Sequence, residues 1–309
     1  MTNEDRTLLL SLFSFDKKLN DNMKIKKLYS MSSNIEKNYQ VKKIPKRNGK
    51  TRTIYAPSYY LKNVQKNILN NILYKVDTYD FVTAYCKNKT IKDNAIKHIN
   101  KNVILKLDIK NFFDNISFSN VYSIYKSLGY SKNICGLLTY LTTYNEFLPQ
   151  GAPTSSYLSN LIMRKFDYEV NEWCKNNNIS YTRYSDDMTF SMDEYNPSII
   201  RTVRKKLYKL GLELNNEKIC VINKYTKQKI TGIVVNEKLQ ADSLYRKKIR
   251  QEIYYIKKYN LESHLNRLNI TNKNKYINSL KGKINYVLQI DSNNTEFLSY
   301  KEFITKLEI

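Results

Sequence analysis

Two adjacent aspartates, Asp186 and Asp187, stand at the centre of ISYTRYSDDMTFSM, residues 179–192. Tyr181, Arg183 and Ser185 alternate with Thr182 and Tyr184 before them, and Met188, Phe190 and Met192 alternate with Thr189 and Ser191 after them. That period of two predicts two strands meeting at a tip. Neighbouring carboxylates repel unless something positive lies between them. A third carboxylate, Asp108, closes the apolar run VILKLD. If both strands share one sheet, the three converge at its edge. Such oxygen donors can hold two magnesium ions about 3.5–4 Å apart, clamping the attacking and leaving oxygens of a phosphoryl transfer. Taken alone, Asp108 reads as a strand-end turn former, and Asp114 reads as a turn or cap residue.

Phe113 lies five residues beyond Asp108. In a nucleotide-adding enzyme a ring there blocks the sugar 2′ position and favours deoxynucleotides; the other reading is core packing, which is how Phe112 reads. Lys46 and Arg52 flank Asn48-Gly49 in KKIPKRNGKTRTIYAPS. A basic flap there can reach a triphosphate, Arg by paired contacts and Lys as a point charge, or it is a solvated turn. In LPQGAPTSS, Gln150 and Gly151 mark a place where backbone can approach a base or sugar closely.

The elements that must position these groups follow from local patterns. Residues 5–40 read as helical, broken by Asp and Asn caps. Asn48-Gly49 between two β-leaning arms is a strong hairpin signal. Leu61, Val64, Ile68 and Ile72 repeat at helical spacing. Val103–Leu107 is a strand delivering Asp108, and Ser117 caps a helix that Gly129 stops after Leu128. After LPQGAPTSS a long helical run reaches Cys174. Pro197 opens a helix ending at Gly211, and short strands follow at 219–222 and 230–235. From Asp242 the chain reads as helical and basic, headed by YRKKIRQEIYYIKKY. Lys247, Lys248 and Arg250 in that run are phosphate partners, or else a solvated charged face; like charges stacked on a helix are mildly unfavourable without a polyanion. An α+β catalytic body with a helical C-terminal subdomain results.

Lys plus Arg is 52 and Asp plus Glu is 28 in 309 residues, a net charge of +24. With 27 tyrosines as stacking surfaces, that excess points to nucleic acid, ahead of an anionic membrane surface. The four cysteines show no CxxC spacing and read as thiols of a reducing cytoplasm. With two histidines, His98 and His264, a histidine-rich metal site or a Ser-His-Asp triad is poorly supported, so any metal is a hard cation on carboxylates. No signal peptide or bilayer-spanning run is expected, which places the chain in the cytosol.

In this order, the strand–Asp–x4–Phe segment, LPQGAPTSS and YSDD resemble motifs A, B and C of reverse transcriptases. The basic hairpin resembles their fingers and GLELNNEK their motif D. The resemblance implies a right-hand polymerase fold: N-terminal helices and fingers over residues 1–100, a palm with an antiparallel sheet over 101–240 and fingers helices inserted at about 115–160, and a helical thumb over 241–309. It implies that Asp108, Asp186 and Asp187 bind two Mg2+ ions and that Phe113 is the steric gate. Arg52 and Lys46 would hold the triphosphate, and Lys218 would protonate the departing pyrophosphate.

Asn94-Ala95-x-x-His98 is similar to the NAxxH element of retron reverse transcriptases. Ile230-Thr231-Gly232 resembles their VTG triplet with Ile for Val, and YSDD stands where they more often carry YADD. The resemblance implies RNA contacts at these two elements, although a histidine such as His98 also serves as a structural residue. It further implies a structured noncoding RNA as template and primer, dNTP substrates and synthesis from a guanosine 2′-hydroxyl. The product would be the branched RNA–DNA msDNA, and a separately encoded effector protein would act with it in antiphage defence. Two alternatives stay open: a reverse transcriptase of another branch, group II intron-like or abortive-infection type, or a catalytically silent RNA-binding protein with a polymerase fold.

Overall fold

The structure, a computed structural model, describes residues 2–45, 49 and 51–307. Thr2 and Asn20 cap α1 (Asn3–Leu12) and α2 (Asp21–Ser33). β1 (Tyr39–Pro45) and β2 (Thr51–Pro57) form the expected antiparallel hairpin, in register from Tyr39↔Pro57 to Pro45↔Thr51. α3 (Tyr59–Asn71) buries Leu61, Val64 and Ile68. α4 (Ile91–Ile96) starts at a Thr90–Asp93 capping box, and β3 (Val103–Asp108) follows. α5 (Phe118–Ser127) begins at the predicted Ser117 cap, and Gly129 leaves it at φ +86°, the left-handed region glycine favours. Then come α6 (Lys132–Thr142), α7 (Ser155–Ile162) and α8 (Arg164–Lys175), the long run predicted to Cys174 being interrupted at Met163.

β4 (Ser180–Tyr184) and β5 (Asp187–Met192) carry the aspartate tip, and α9 (Ser198–Tyr208) follows. β6 (Cys220–Asn223) joins them in a four-stranded sheet of order β4-β5-β3-β6. The single strand expected at 230–235 is instead a tight antiparallel turn. β7 (Lys229–Ile230) pairs with β8 (Ile233–Val234), and β8 pairs with β9 (Gln240–Ala241). Thr231 and Gly232 both take positive φ, +44° and +93°, and two such residues in succession reverse a chain. The remainder is helical: α10 (Ser243–Tyr259), α11 (Leu261–Arg267), α12 (Lys273–Ile290) and α13 (Thr295–Lys306). The α+β class read from the sequence is what forms.

Two compact units share the chain. One comprises Met1–Asn88, Lys106–Met188 and Asn196–Cys220; the other comprises Lys89–Leu105, Thr189–Tyr195 and Val221–Ile309. In the second, Ile249, Ile253 and Ile256 of α10 pack in one core with Ile277, Leu280, Ile284 and Val287 of α12. Spacings of three and four put each set on one helix face. Burying each such side chain contributes about 1.5–3 kcal/mol relative to exposure. The cysteines are free thiols. Among the described residues no helix is long and apolar enough to cross a membrane.

Candidate active site

The first unit brings together the ends of β3 and the β4–β5 tip. The Ile109 N–H donates to the Asp186 carbonyl at 3.1 Å, fastening the residue after Asp108 to the turn. Asp108 is 5% exposed at the last position of β3, Asp186 occupies the turn, and Asp187 opens β5. The Asp187 carboxyl feels the charges of both Asp186 and Asp108. Burial pushes Asp187 up to about 6, and the charges of Asp186 and Asp108 push the same way. Asp186 is raised too, chiefly by burial, with Asp108 adding. Such shifts mark carboxylates crowded without enough positive charge.

Positive charge is supplied to the three acids by Lys218. Its Nζ donates to Asp108 Oδ2 at 2.7 Å. Burial pulls the ammonium down, but Asp108, Asp186 and Asp187 together outweigh this and hold it above the ordinary lysine value. The preceding loop docks on the same strand end, the Asn215 N–H donating to the Asp108 carbonyl at 2.8 Å. Among the described residues no group of three or more His, Cys, Asp or Glu side chains is arranged to hold a metal ion. Lys218 performs the neutralisation that a cation would perform. The three acids offer only carboxylate oxygens, a donor set that suits a hard divalent cation such as magnesium.

Beneath the tip lies a network that the strand pattern did not disclose. Arg183 and Asp167 are both wholly buried. Arg183 Nε donates to Asp167 Oδ1 at 2.8 Å and Nη2 donates to Oδ2, while the Tyr181 hydroxyl donates to Asp167 Oδ1 at 2.8 Å. Arg183 Nη1 donates to Asn160 Oδ1 at 3.1 Å and to the Ser185 carbonyl at 3.0 Å. Ser185 sits at φ +62°, and the Tyr85 hydroxyl donates to its Oγ at 3.2 Å. The guanidinium thus grips the strained residue from which Asp186 projects. The available signal was an arginine within an apolar strand, which requires a buried counter-ion. Nothing local identified Asp167.

Around the nucleotide-side candidates, Phe112 is core and Phe113 is half-buried, the two rings 5.4 Å apart. Arg52 is exposed on β2, opposite Ile44; Lys46 lies outside the described residues. Gln150 gives its carbonyl to the Tyr55 N–H at 2.7 Å. Gly151 stands at φ +119°, and a Cβ there would meet the Tyr55 carbonyl oxygen at 2.7 Å. The close backbone approach expected at Gly151 is therefore made to β2 of the chain's own hairpin.

Several residues of the elements expected to contact RNA lie inside the second unit. Asn94 is 1% exposed and His98 0%, and His98 Nδ1 lies 2.7 Å from Ser191 Oγ. Ile230 is buried in the core of the second unit. Thr231 and Gly232 form the β7–β8 turn, with Asn94 Nδ2 3.5 Å from Thr231 Oγ1. In this conformation Asn94, His98 and Ile230 support the unit from within. Lys247 and Lys248 are exposed on α10, but Arg250 is engaged by Glu296 through two bonds of 2.6 Å. Basic residues in a run look alike in sequence, while the carboxylate that occupies one of them lies on another helix.

The family described as reverse transcriptase (RNA-dependent DNA polymerase) matches residues 44–235. The Retron Ec86 reverse transcriptase of Escherichia coli is 33% identical over 262 residues, covering 83% of this chain and 77% of that protein. The Retron Ec83 reverse transcriptase of Escherichia coli is 30% identical over 270 residues, covering 82% and 83%. Among solved structures, telomerase from Candida albicans, in complex with a fragment of telomeric RNA, aligns at TM-score 0.49 and 14% identity over 91% of this chain and 68% of that one.

Proposed function

This chain belongs to the retron reverse transcriptases, and from that premise we propose that it copies part of a structured noncoding RNA into DNA, starting from a guanosine 2′-hydroxyl and leaving branched msDNA. Its fold is the right-hand polymerase fold of that family, with the helical end as thumb in this reading. The observation that carries the proposal is the approach of Asp108, Asp186 and Asp187 to one another around Lys218.

In this reading Asp108, Asp186 and Asp187 hold two magnesium ions. When bound, the ions lower the pKa of the primer hydroxyl and neutralise charge building on the phosphate oxygens. Arg183 keeps the turn under Asp186 in place, and Lys218 supplies a proton to the departing pyrophosphate. Phe113 excludes ribonucleotides, while Arg52 and Lys46 steady the triphosphate. The exposed lysines of α10 and the +24 charge favour a polyanion, so RNA affinity falls steeply with salt. A separately encoded effector and a role in antiphage defence complete the proposal, for a cytosolic enzyme.

Primer extension with magnesium and dNTPs, together with sequencing of the nucleic acid that copurifies, tests this reading. DNA joined to RNA at a guanosine supports the retron reaction, and heterogeneous or unbranched DNA contradicts it. Asp186→Asn and Asp187→Asn abolish extension while RNA binding persists; normal extension by both removes the metal-site assignment.

A further inference from the structure

Tyr85 and Ser185 both hold the backbone in the left-handed region, at φ +61° and +62°. Neither is glycine, asparagine or aspartate, the residues to which that conformation comes most easily. Their side chains meet: the Tyr85 hydroxyl donates to Ser185 Oγ at 3.2 Å, across 100 positions of sequence. Backbone at such angles persists only where its surroundings fix it, and it gathers at sites where a side chain has to be aimed. Both residues are fixed from behind. The Arg183 N–H donates to the Phe81 carbonyl at 2.8 Å and the Thr83 N–H to the Arg183 carbonyl at 3.0 Å, which lays residues 81–83 along β4. Asn160 Nδ2 donates to the Ala84 carbonyl at 2.8 Å, while its Oδ1 accepts from Arg183 Nη1. Asn160 thus joins the residue before Tyr85 to the guanidinium that holds the Ser185 carbonyl.

The direction of the bond has a chemical consequence. With Tyr85 as donor, Ser185 Oγ is the acceptor, and the single proton of Ser185 is left to be given elsewhere. The next residue is Asp186, whose carboxyl is raised by burial and drawn back down by the Ser185 hydroxyl. Hydroxyls in series polarise one another, so a serine that accepts from a tyrosine is the better donor. Ser185 is 5% exposed and Tyr85 43% exposed. The tyrosine therefore contributes little to the core, and its one printed hydrogen bond is spent on the residue that precedes the aspartate pair.

We propose that Tyr85 is a positioning residue of the polymerase centre: through Ser185 its hydroxyl sets the direction in which the Asp186 carboxylate points, and with it the grip of the three acids on a divalent cation. Arg183 fixes the backbone of Ser185 and Tyr85 fixes its side chain, two separate controls on one residue. The proposal deepens the reading of Asp108, Asp186 and Asp187 as a cation site and rests on it. Tyr85→Phe and Ser185→Ala each remove the bond by taking away one oxygen.

Full-length wild type, both single variants and the double variant are titrated with manganese(II) in the absence of nucleic acid, free ion being read by electron paramagnetic resonance. The same proteins are followed in single-turnover primer extension across a dNTP series. Each single variant weakens manganese binding and slows extension about fivefold, the scale of one neutral hydrogen bond. Half-saturating dNTP stays constant, because Tyr85 acts through Asp186 and not on the nucleotide. The double variant is no worse than either single one, since both remove the same bond. On an Asp186→Asn background, Tyr85→Phe weakens manganese binding no further. A double variant down by about twenty-fivefold, the product of two independent effects, overturns the proposal. So does unchanged manganese binding in either single variant, or a further loss on the Asp186→Asn background. A raised half-saturating dNTP with unchanged manganese binding overturns it in favour of a nucleotide contact. Should Ser185→Ala unfold in milder urea than wild type, Tyr85→Phe with and without Asp186→Asn carries the test. A wild type whose manganese binding depends on Asp186 yet extends no primer fails as a polymerase and leaves the positioning assignment standing. Manganese binding indifferent to Asp186→Asn removes the cation site and the proposal with it.

Discussion

Lys218 holds its ammonium 2.7 Å from Oδ2 of Asp108, the last residue of β3. If the three acids hold magnesium as proposed, this cation of the protein's own is its rival for Asp108. Lys218→Met removes that rival, so half-saturation of primer extension shifts to lower magnesium. At saturating magnesium the single-turnover rate falls by about 10²–10⁴-fold, the span of general acid catalysis, and Lys218→Arg does not restore it. Rapid-quench extension across a magnesium series separates the two effects. An unchanged rate reduces Lys218 to a counter-ion.

Arg183 is a positioning residue with a buried partner. Arg183→Met leaves Asp167 charged and sealed from water, which costs about 3–5 kcal/mol in urea unfolding. Replacing both, as Arg183→Met with Asp167→Leu, recovers most of that stability because neither charge is then buried alone. Extension stays impaired in the double variant, since nothing grips the Ser185 carbonyl. If activity returned together with stability, Arg183 would be only a structural residue.

Gly151→Ala brings a methyl group against the Tyr55 carbonyl at a backbone angle that alanine rarely adopts. About 1–3 kcal/mol of stability is lost. The larger kinetic effect falls on KM for dNTP, because the contact that yields ties the loop to the hairpin bearing Arg52. Steady-state kinetics check this: a fall in kcat at constant KM contradicts it.

His98 sets an acid limit on the fold. Burial first, and then the charges of Lys97 and Lys101, lower it to about 3. The unfolded chain takes up that proton near pH 6.5, so between about 6.5 and 3 the unfolded state binds more protons. Stability therefore rises with pH across this window and is lost on acidification, by at most about 1.4 kcal/mol per pH unit from this group. His98→Gln, which retains a polar partner for Ser191, reduces the loss between pH 7 and pH 5 by about 2 kcal/mol. Urea titrations at the two pH values test this, and equal losses in both proteins would refute it.

The sequence by itself determined the order of the elements, the β1–β2 hairpin, the Ser117 cap, the Gly129 stop, and the two strand ends that bear Asp108 and the aspartate pair. These are written in turns, caps and periods of two or 3.6, which depend only on residues a few positions apart. Even there, the reversal at Thr231 and Gly232 was hidden inside an apolar run that reads as one strand. Tertiary structure alone decided that Arg183 meets Asp167 from α8, that Gly151 abuts Tyr55, that His98 is sealed against Ser191, and that Glu296 occupies Arg250. A charge or a glycine announces a need for a partner or for space, but which distant atom answers it is fixed only when packing brings the elements together.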